Sequence, residues 1–157
     1  MKVKLIMIGK TVKSYLKEGE QEYDQRIKHY VRLEETVIPD IKNASKLSKK
    51  ELKSKEGKMI LSKLGNTDEV ILLDDKGKEF TSKELSEFLK QKMLHSTKTL
   101  VFIVGGAFGF SDEVYARANS KLSLSKMTFS HQMVRMIFKE QLYRAFTIIK
   151  GEKYHHE

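Results

Sequence analysis

The chain has 157 residues, is 39% hydrophobic and contains no cysteine. That length suits one compact domain over 1–157, the apolar share is enough for a core, and the missing cysteine removes disulfides, thiolate metal sites and thiol nucleophiles together. Lys and Arg number 30 against 21 acidic residues, a formal net charge of +9. Such an excess favours a polyanionic partner, although a lysine-rich solvated surface has the same balance, and many of the lysines fall within 42–63.

No apolar run approaches the length that spans a bilayer. The opening stretch Met1 to Gly9 is too short for the apolar core of a signal peptide and has no small-residue cleavage site. A cytoplasmic protein without membrane contact is the expectation.

Lys2–Gly9 alternates loosely, with Val3, Leu5 and Met7 on one side and Ile6 and Ile8 on the other, and predicts a strand buried on both faces. From Val12 to Val31 the spacing of Leu16, Tyr23, Ile27 and Tyr30 predicts a helix. Glu34–Ile38 reads as a short strand stopped by Pro39, the only proline. Ser48 and Glu51 form a capping-box pattern that opens a lysine-rich helix to about Leu64, with Gly65 as its stop. Glu69–Asp74 is a second buried strand, 75–78 a turn, and Thr81 with Glu84 a second capping box. The helix behind it turns Leu85, Phe88, Leu89 and Met93 inward.

Thr99–Val104 is a further strand, running into Gly105-Gly106-Ala107-Phe108-Gly109; Ser111–Ala118 is a short helix and Lys121–Ser125 a short strand or loop. A long helix runs from about Ser130 to Lys150 and ends at Gly151. Strand and helix alternate throughout, so the fold class is α/β, a mostly parallel sheet with helices on both faces. The loops after Leu73 and Val104 lie at carboxyl ends of strands, where open α/β sheets bind ligands. The last helix is apolar around most of its circumference, which fits either a homodimer interface or a central core helix.

Three stretches carry candidate chemistry. The glycine run is spaced G-G-x-x-G, neither the dinucleotide fingerprint nor a P-loop; it fits a loop that approaches a ligand closely and equally a tight turn. In Leu124-Ser125-Lys126-Met127-Thr128-Phe129-Ser130-His131, small hydroxyls precede a histidine at a helix start. Ser130 or Thr128 is placed to cap that helix, and its amino end disfavours a charged His131. Arg135 is one turn on, on the same face. The pair fits a phosphate or uracil-like base, and equally a plain cap beside a salt-bridge partner. Tyr154 and His155, in the tail, fit a frayed end or a rim with a stacking ring and an imidazole; adjacent His155 and His156, lacking an acidic or thiol cluster, make no metal site. His29 and His95, in lysine-rich surroundings, read as surface residues.

Taken in order, the glycine run 104–109, the stretch 124–135, Glu140-Gln141-Leu142-Tyr143-Arg144-Ala145 and the terminal Tyr154-His155 resemble the RlmH family, SPOUT-class enzymes that methylate N3 of a pseudouridine in bacterial 23S ribosomal RNA. The opening strand with Gly9-Lys10 and the early Tyr23 and Arg26 are similar too. The resemblance implies an α/β-knot with a C-terminal trefoil knot, its cofactor region over about 70–157. It implies S-adenosyl-L-methionine bound among loops carrying Leu73, Gly105 and the stretch Leu124, Ser125, Lys126, Met127, Thr128 and Phe129. It implies a homodimer whose site is completed across the interface, and a substrate in 23S rRNA of the large ribosomal subunit or 70S ribosome. His131, Arg135, Tyr154 and His155 become the candidate catalytic residues, with no metal. The lack of cysteine agrees, since methylation of a uridine carbon usually needs a thiolate, whereas transfer to nitrogen does not. Ser130 stands where the family usually has proline, and the tail ends His156-Glu157 where a basic residue commonly follows Tyr-His.

Overall fold

The computed structural model describes residues 1–156, so the expectation attached to Glu157 lies outside the described residues. Strand β1 (Lys2–Ile8) leads to helix α1 (Ser14–Ile27), β2 (Arg32–Ile38), a 3₁₀ turn at Ala44–Lys46 and α2 (Lys49–Leu61). Then come β3 (Glu69–Glu79), α3 (Ser82–Leu94), β4 (Thr99–Val104), α4 (Asp112–Arg117), β5 (Ser120–Ser123) and α5 (His131–Lys150). The five strands form one sheet in the order β2-β1-β4-β3-β5, and every pairing is parallel. Because parallel neighbours need crossover connections, helices cover both faces.

The two-sided burial predicted for β1 is what builds the two cores. Val3, Leu5 and Met7 pack with Phe102, Phe138, Leu142 and Phe146 under α1, α3 and α5. Ile6 and Ile8 pack with Ile60, Leu72, Ile103 and Val114 under α2 and α4. Both capping boxes form as read: Ser48 Oγ accepts from the Glu51 amide and Thr81 Oγ1 from the Glu84 amide, each glutamate returning a bond to its cap's amide.

Three local expectations change. α1 is shorter than the 12–31 span, starting after Lys13 and ending at Ile27. Residues 75–78 are strand rather than a free turn, because β3 continues past them to pair with β5 after a register shift between Leu73 and Lys78. Gly77 is what permits this: a Cβ there would sit 2.6 Å from the Leu122 carbonyl carbon. Met93 is exposed, since Leu85 and Leu89 already fill the inner face of α3.

α5 is the axis of the fold. It ends as expected, with Gly151 in the left-handed conformation at φ 71°. Its buried side, however, holds two cations, Arg135 and Lys139, beside Phe138, Leu142, Ala145 and Phe146. Met133, Ile137 and Ile148, four and eleven positions apart, share another stripe of the helix and stay partly open. Among the described residues, no helix is long and apolar enough to cross a membrane.

Candidate active site

A cavity of about 560 Å³ opens at the carboxyl edge of the sheet, where β3, β4 and β5 end and α5 begins. This is the edge at which open α/β sheets collect ligands. Leu73 supplies the floor from β3, Gly105 to Gly109 one wall from β4, and Leu124, Ser125, Met127, Thr128 and Phe129 the other. His131, the first residue of α5, closes the end. Of the predicted cofactor residues, Lys126 alone is not in the lining; its side chain is exposed.

The walls have distinct reasons for their shapes. Gly105 is buried, and a Cβ on it would lie 3.0 Å from the Phe110 ring, so this backbone passes where no side chain fits. A Cβ on Gly106 would meet the Glu56 carboxylate at 2.7 Å. Gly109 has φ 79°, which reverses the loop into α4. On the opposite wall Ser125 Oγ accepts from the Met127 amide at 2.9 Å, while Ser123 Oγ donates to the Ser125 carbonyl at 2.9 Å. These bonds curl 123–127 around the cavity with Met127 and Phe129 exposed at its mouth. Ser130, in the place of proline, caps α5: its Oγ accepts from the Met133 amide at 3.2 Å.

His131 is held below the ordinary imidazole range, first by burial and then by the Arg135 charge, with Asp40 opposing. The direction is the one read from the helix amino end, and burial is a cause that the sequence reading did not name. A neutral imidazole therefore borders the cavity at neutral pH, able to accept a proton.

Arg135 is elsewhere. It is 1% exposed and donates through Nη2 to the Ile8 carbonyl at 2.5 Å and through Nη1 to Thr11 Oγ1 at 3.1 Å. Thr11 in turn donates to Glu20. Gln132 Oε1 adds bonds from the Val12 and Lys13 amides. Arg135 and Gln132 thus tie the loop after β1 to the start of α5, and Arg135 reaches the site through the position and charge state of His131.

The tail folds back along α5. Tyr154 stacks edge-on against Tyr143, with centroids 4.6 Å apart, lies under the Arg144 guanidinium and donates to Glu140 at 3.1 Å. Burial, followed by its bonding partners, keeps the Tyr154 phenol protonated far above neutrality. Arg144 also holds Glu140 at 2.6 Å and donates to His155 Nδ1 at 3.4 Å. A guanidinium can only donate, so Nδ1 accepts and the ring proton sits on Nε2. About 20 Å of helix axis separates His131 from Arg144, so within one chain the predicted catalytic residues form two groups.

Among the cavity residues that the sequence reading did not single out, Asp74 and Tyr115 form a hydrogen-bonded pair. Asp74, at the end of the buried run of β3, accepts from the Tyr115 hydroxyl and from the Lys76 amide at 2.8 Å. The acidic residue directly after a buried strand was a usable signal; nothing in the spacing announced Tyr115, which is 41 positions away. Burial and then Asp74 raise the Tyr115 phenol, so it too stays protonated and donates.

An open parallel sheet with a glycine wall, a curled serine loop and a histidine at a helix start frames a cavity built from loops at the sheet's carboxyl edge, unlike a dinucleotide fold. The family described as "Predicted SPOUT methyltransferase" matches residues 1–155, and the chain belongs to it. Among its relatives, a protein of Christiangramia forsetii is 53% identical over 99% of both chains, and one of Parabacteroides distasonis is 55% identical over the full length of both. Each is named ribosomal RNA large subunit methyltransferase H. The fold is shared with a probable methylase family protein from Haemophilus influenzae, at TM-score 0.53 and 11% identity over 97% of this chain and 67% of that one. It is shared also with a putative methyltransferase from Legionella pneumophila solved with bound SAM, at TM-score 0.51 and 12% identity over 90% and 65%.

Proposed function

We propose that the chain uses S-adenosyl-L-methionine to methylate N3 of a pseudouridine in 23S ribosomal RNA, acting in the bacterial cytoplasm on the assembled ribosome. The observation that carries this is the cavity, lined by the glycine wall and the serine loop in a chain that the methyltransferase family matches over residues 1–155. Its chemistry fits the cofactor. Leu73, Leu122, Leu124 and Val134 offer an apolar slot for an adenine ring, Ser123, Ser125 and Thr128 offer hydroxyls, and Gly105 leaves backbone open to close approach.

The cofactor supplies an activated methyl group on a sulfonium, so no thiol of the protein is needed. The chain's own task is to place the base and manage its N3 proton. His131, neutral and at the cavity end, accepts that proton at a ring nitrogen. Arg135 keeps His131 neutral and fixes the loop after β1. Tyr154 and His155 contact the nucleoside, but from a second copy: the partly open apolar residues Met133, Ile137 and Ile148 of α5 form a dimer contact that brings one protomer's tail to the other's cavity. The knotted cofactor region covers about 70–157 within a single domain of 1–157.

The test is mass mapping of ribosomal RNA from a strain lacking the gene, together with methyl transfer by the purified protein to 70S ribosomes, large subunits and free RNA. Loss of one N3-methylated pseudouridine, regained with the purified protein on 70S ribosomes, is expected. Loss of a 2'-O-ribose or guanine-N1 methyl group instead would move the assignment to another substrate of the same class.

A further inference from the structure

We propose that the exposed face of α2, with the turn before it, is a docking rail for the phosphate backbone of the RNA whose base enters the cavity; this rests on the reading that the chain acts on RNA. Residues 42–63 hold eight lysines and two acids, Glu51 and Glu56, a net of 8 − 2 = +6 out of +9 for the chain. Two-thirds of the excess charge therefore lies on one short segment. Glu56 is buried and Glu51 is spent on the capping box, so the outward face is almost purely cationic. Lys42, Lys46, Lys49, Lys50, Lys55 and Lys58 are all exposed.

Lys2, Lys4, Lys92 and Lys139 each sit in a salt bridge, whereas none of these six forms an ion pair among the described residues. A merely solvated helix usually interleaves acids at i±4 to relieve its own repulsion. On α2 the relief is partial, Glu51 acting on Lys55 and Glu113 of α4 on Lys58 and Lys50, and a polyanion would relieve the rest with release of counterions.

The segment is also joined to the cavity. The Glu56 carboxylate packs against Gly106, and the Lys49 ammonium lies 5.2 Å over the Phe108 ring. Gly106 and Phe108 both line the cavity. Phe108 is 47% exposed, and with Met127 and Phe129 it offers an apolar rim on which an unstacked base can rest. Backbone on lysines and base on the rim is the arrangement by which proteins hold an extruded nucleotide. A membrane surface fits poorly, because the apolar side of α2, with Met59, Ile60 and Leu61, is packed in the second core.

The test compares two triple variants of the full-length protein with the same charge change: Lys50→Gln, Lys55→Gln, Lys58→Gln on α2, and Lys28→Gln, Lys90→Gln, Lys98→Gln away from it. Binding to 70S ribosomes is measured across a salt series, and S-adenosyl-L-methionine binding by calorimetry. The α2 variant is expected to bind ribosomes roughly tenfold to a hundredfold more weakly near physiological salt, with the log–log salt slope reduced by about two to three. Its cofactor affinity stays that of the wild type, and the control variant stays within about threefold for ribosomes. Equal losses in both variants, or none in the α2 variant, overturn the rail. Wild-type protein that binds ribosomes through α2 yet transfers no methyl group sinks the catalytic reading and leaves the rail standing.

Discussion

The two ends of α5 make opposite uses of one helix. At its amino end the chain leaves His131 beside an open cavity with polar backbone and exposed apolar rims. At its carboxyl half, Glu140, Arg144, Tyr143, Tyr154 and His155 are knitted into a cluster bonded to itself. Between them the inner face is locked by Lys139, 1% exposed and bridged to Glu20 at 3.1 Å, to Asp24 and to Glu35. The lesson is that one chain keeps its two groups of candidate catalytic residues about 20 Å apart on one helix. Under the proposed function, a second copy laid against α5 is what would bring the two groups together.

The largest effect tests the cavity half. Gly105→Leu drives a side chain into the Phe110 ring and the cofactor slot, and calorimetry should show S-adenosyl-L-methionine binding weakened by more than about 100-fold, with folding retained by circular dichroism. Mixing that variant with a Tyr154→Ala, His155→Ala chain then tests the division. Each homodimer should be inactive, while random re-pairing should restore about a quarter of wild-type activity, half the dimers having one complete site of two. No recovery in the mixture, with heterodimers demonstrated, would place tail and cavity in the same protomer.

The rod between the ends is the next target. Lys139→Met keeps the volume but leaves three carboxylates without their ammonium, and should cost about 3–5 kcal/mol of unfolding free energy in urea titration. Burial already raises the Asp24 carboxyl despite Lys139, so the variant should recover part of its loss on acidification as these groups take up protons.

The smallest effect concerns pH. His131 is lowered from 6.5 by burial and by Arg135. Its protonated form is disfavoured in the fold, so activity should be flat through neutrality. It should fall about tenfold per pH unit only below that depressed value. Arg135→Gln should move this acid limb upward towards 6.5 while His131→Asn removes it; an unmoved limb would detach His131 from the proton.

Much of the architecture was legible in one dimension because its causes are local. Strand alternation in Lys2–Gly9, two capping boxes and Gly151 after a long helix depend on side chains within a few positions of one another. Gly77 shows the limit: beside Lys76 it reads as a turn, and only the arrival of β5, over 40 positions later, makes it a strand residue. Arg135 shows it again. Helical spacing put it on the His131 face, yet its hydrogen bonds run to Ile8 and Thr11, which pairing within the sheet brings beneath α5.

The sequence alone determined the alternation of elements, the two-sided core of β1, the basic charge and the order of motifs that marks the family. Tertiary structure decided which candidates share a cavity, that burial holds His131 below its ordinary range, that Asp74 meets Tyr115, and that the tail lies along α5 away from the cavity. The reason is physical. Periodicity and caps arise from interactions over three or four residues, whereas burial, charge coupling and the meeting of loops depend on strands that are neighbours in the sheet and distant in the chain.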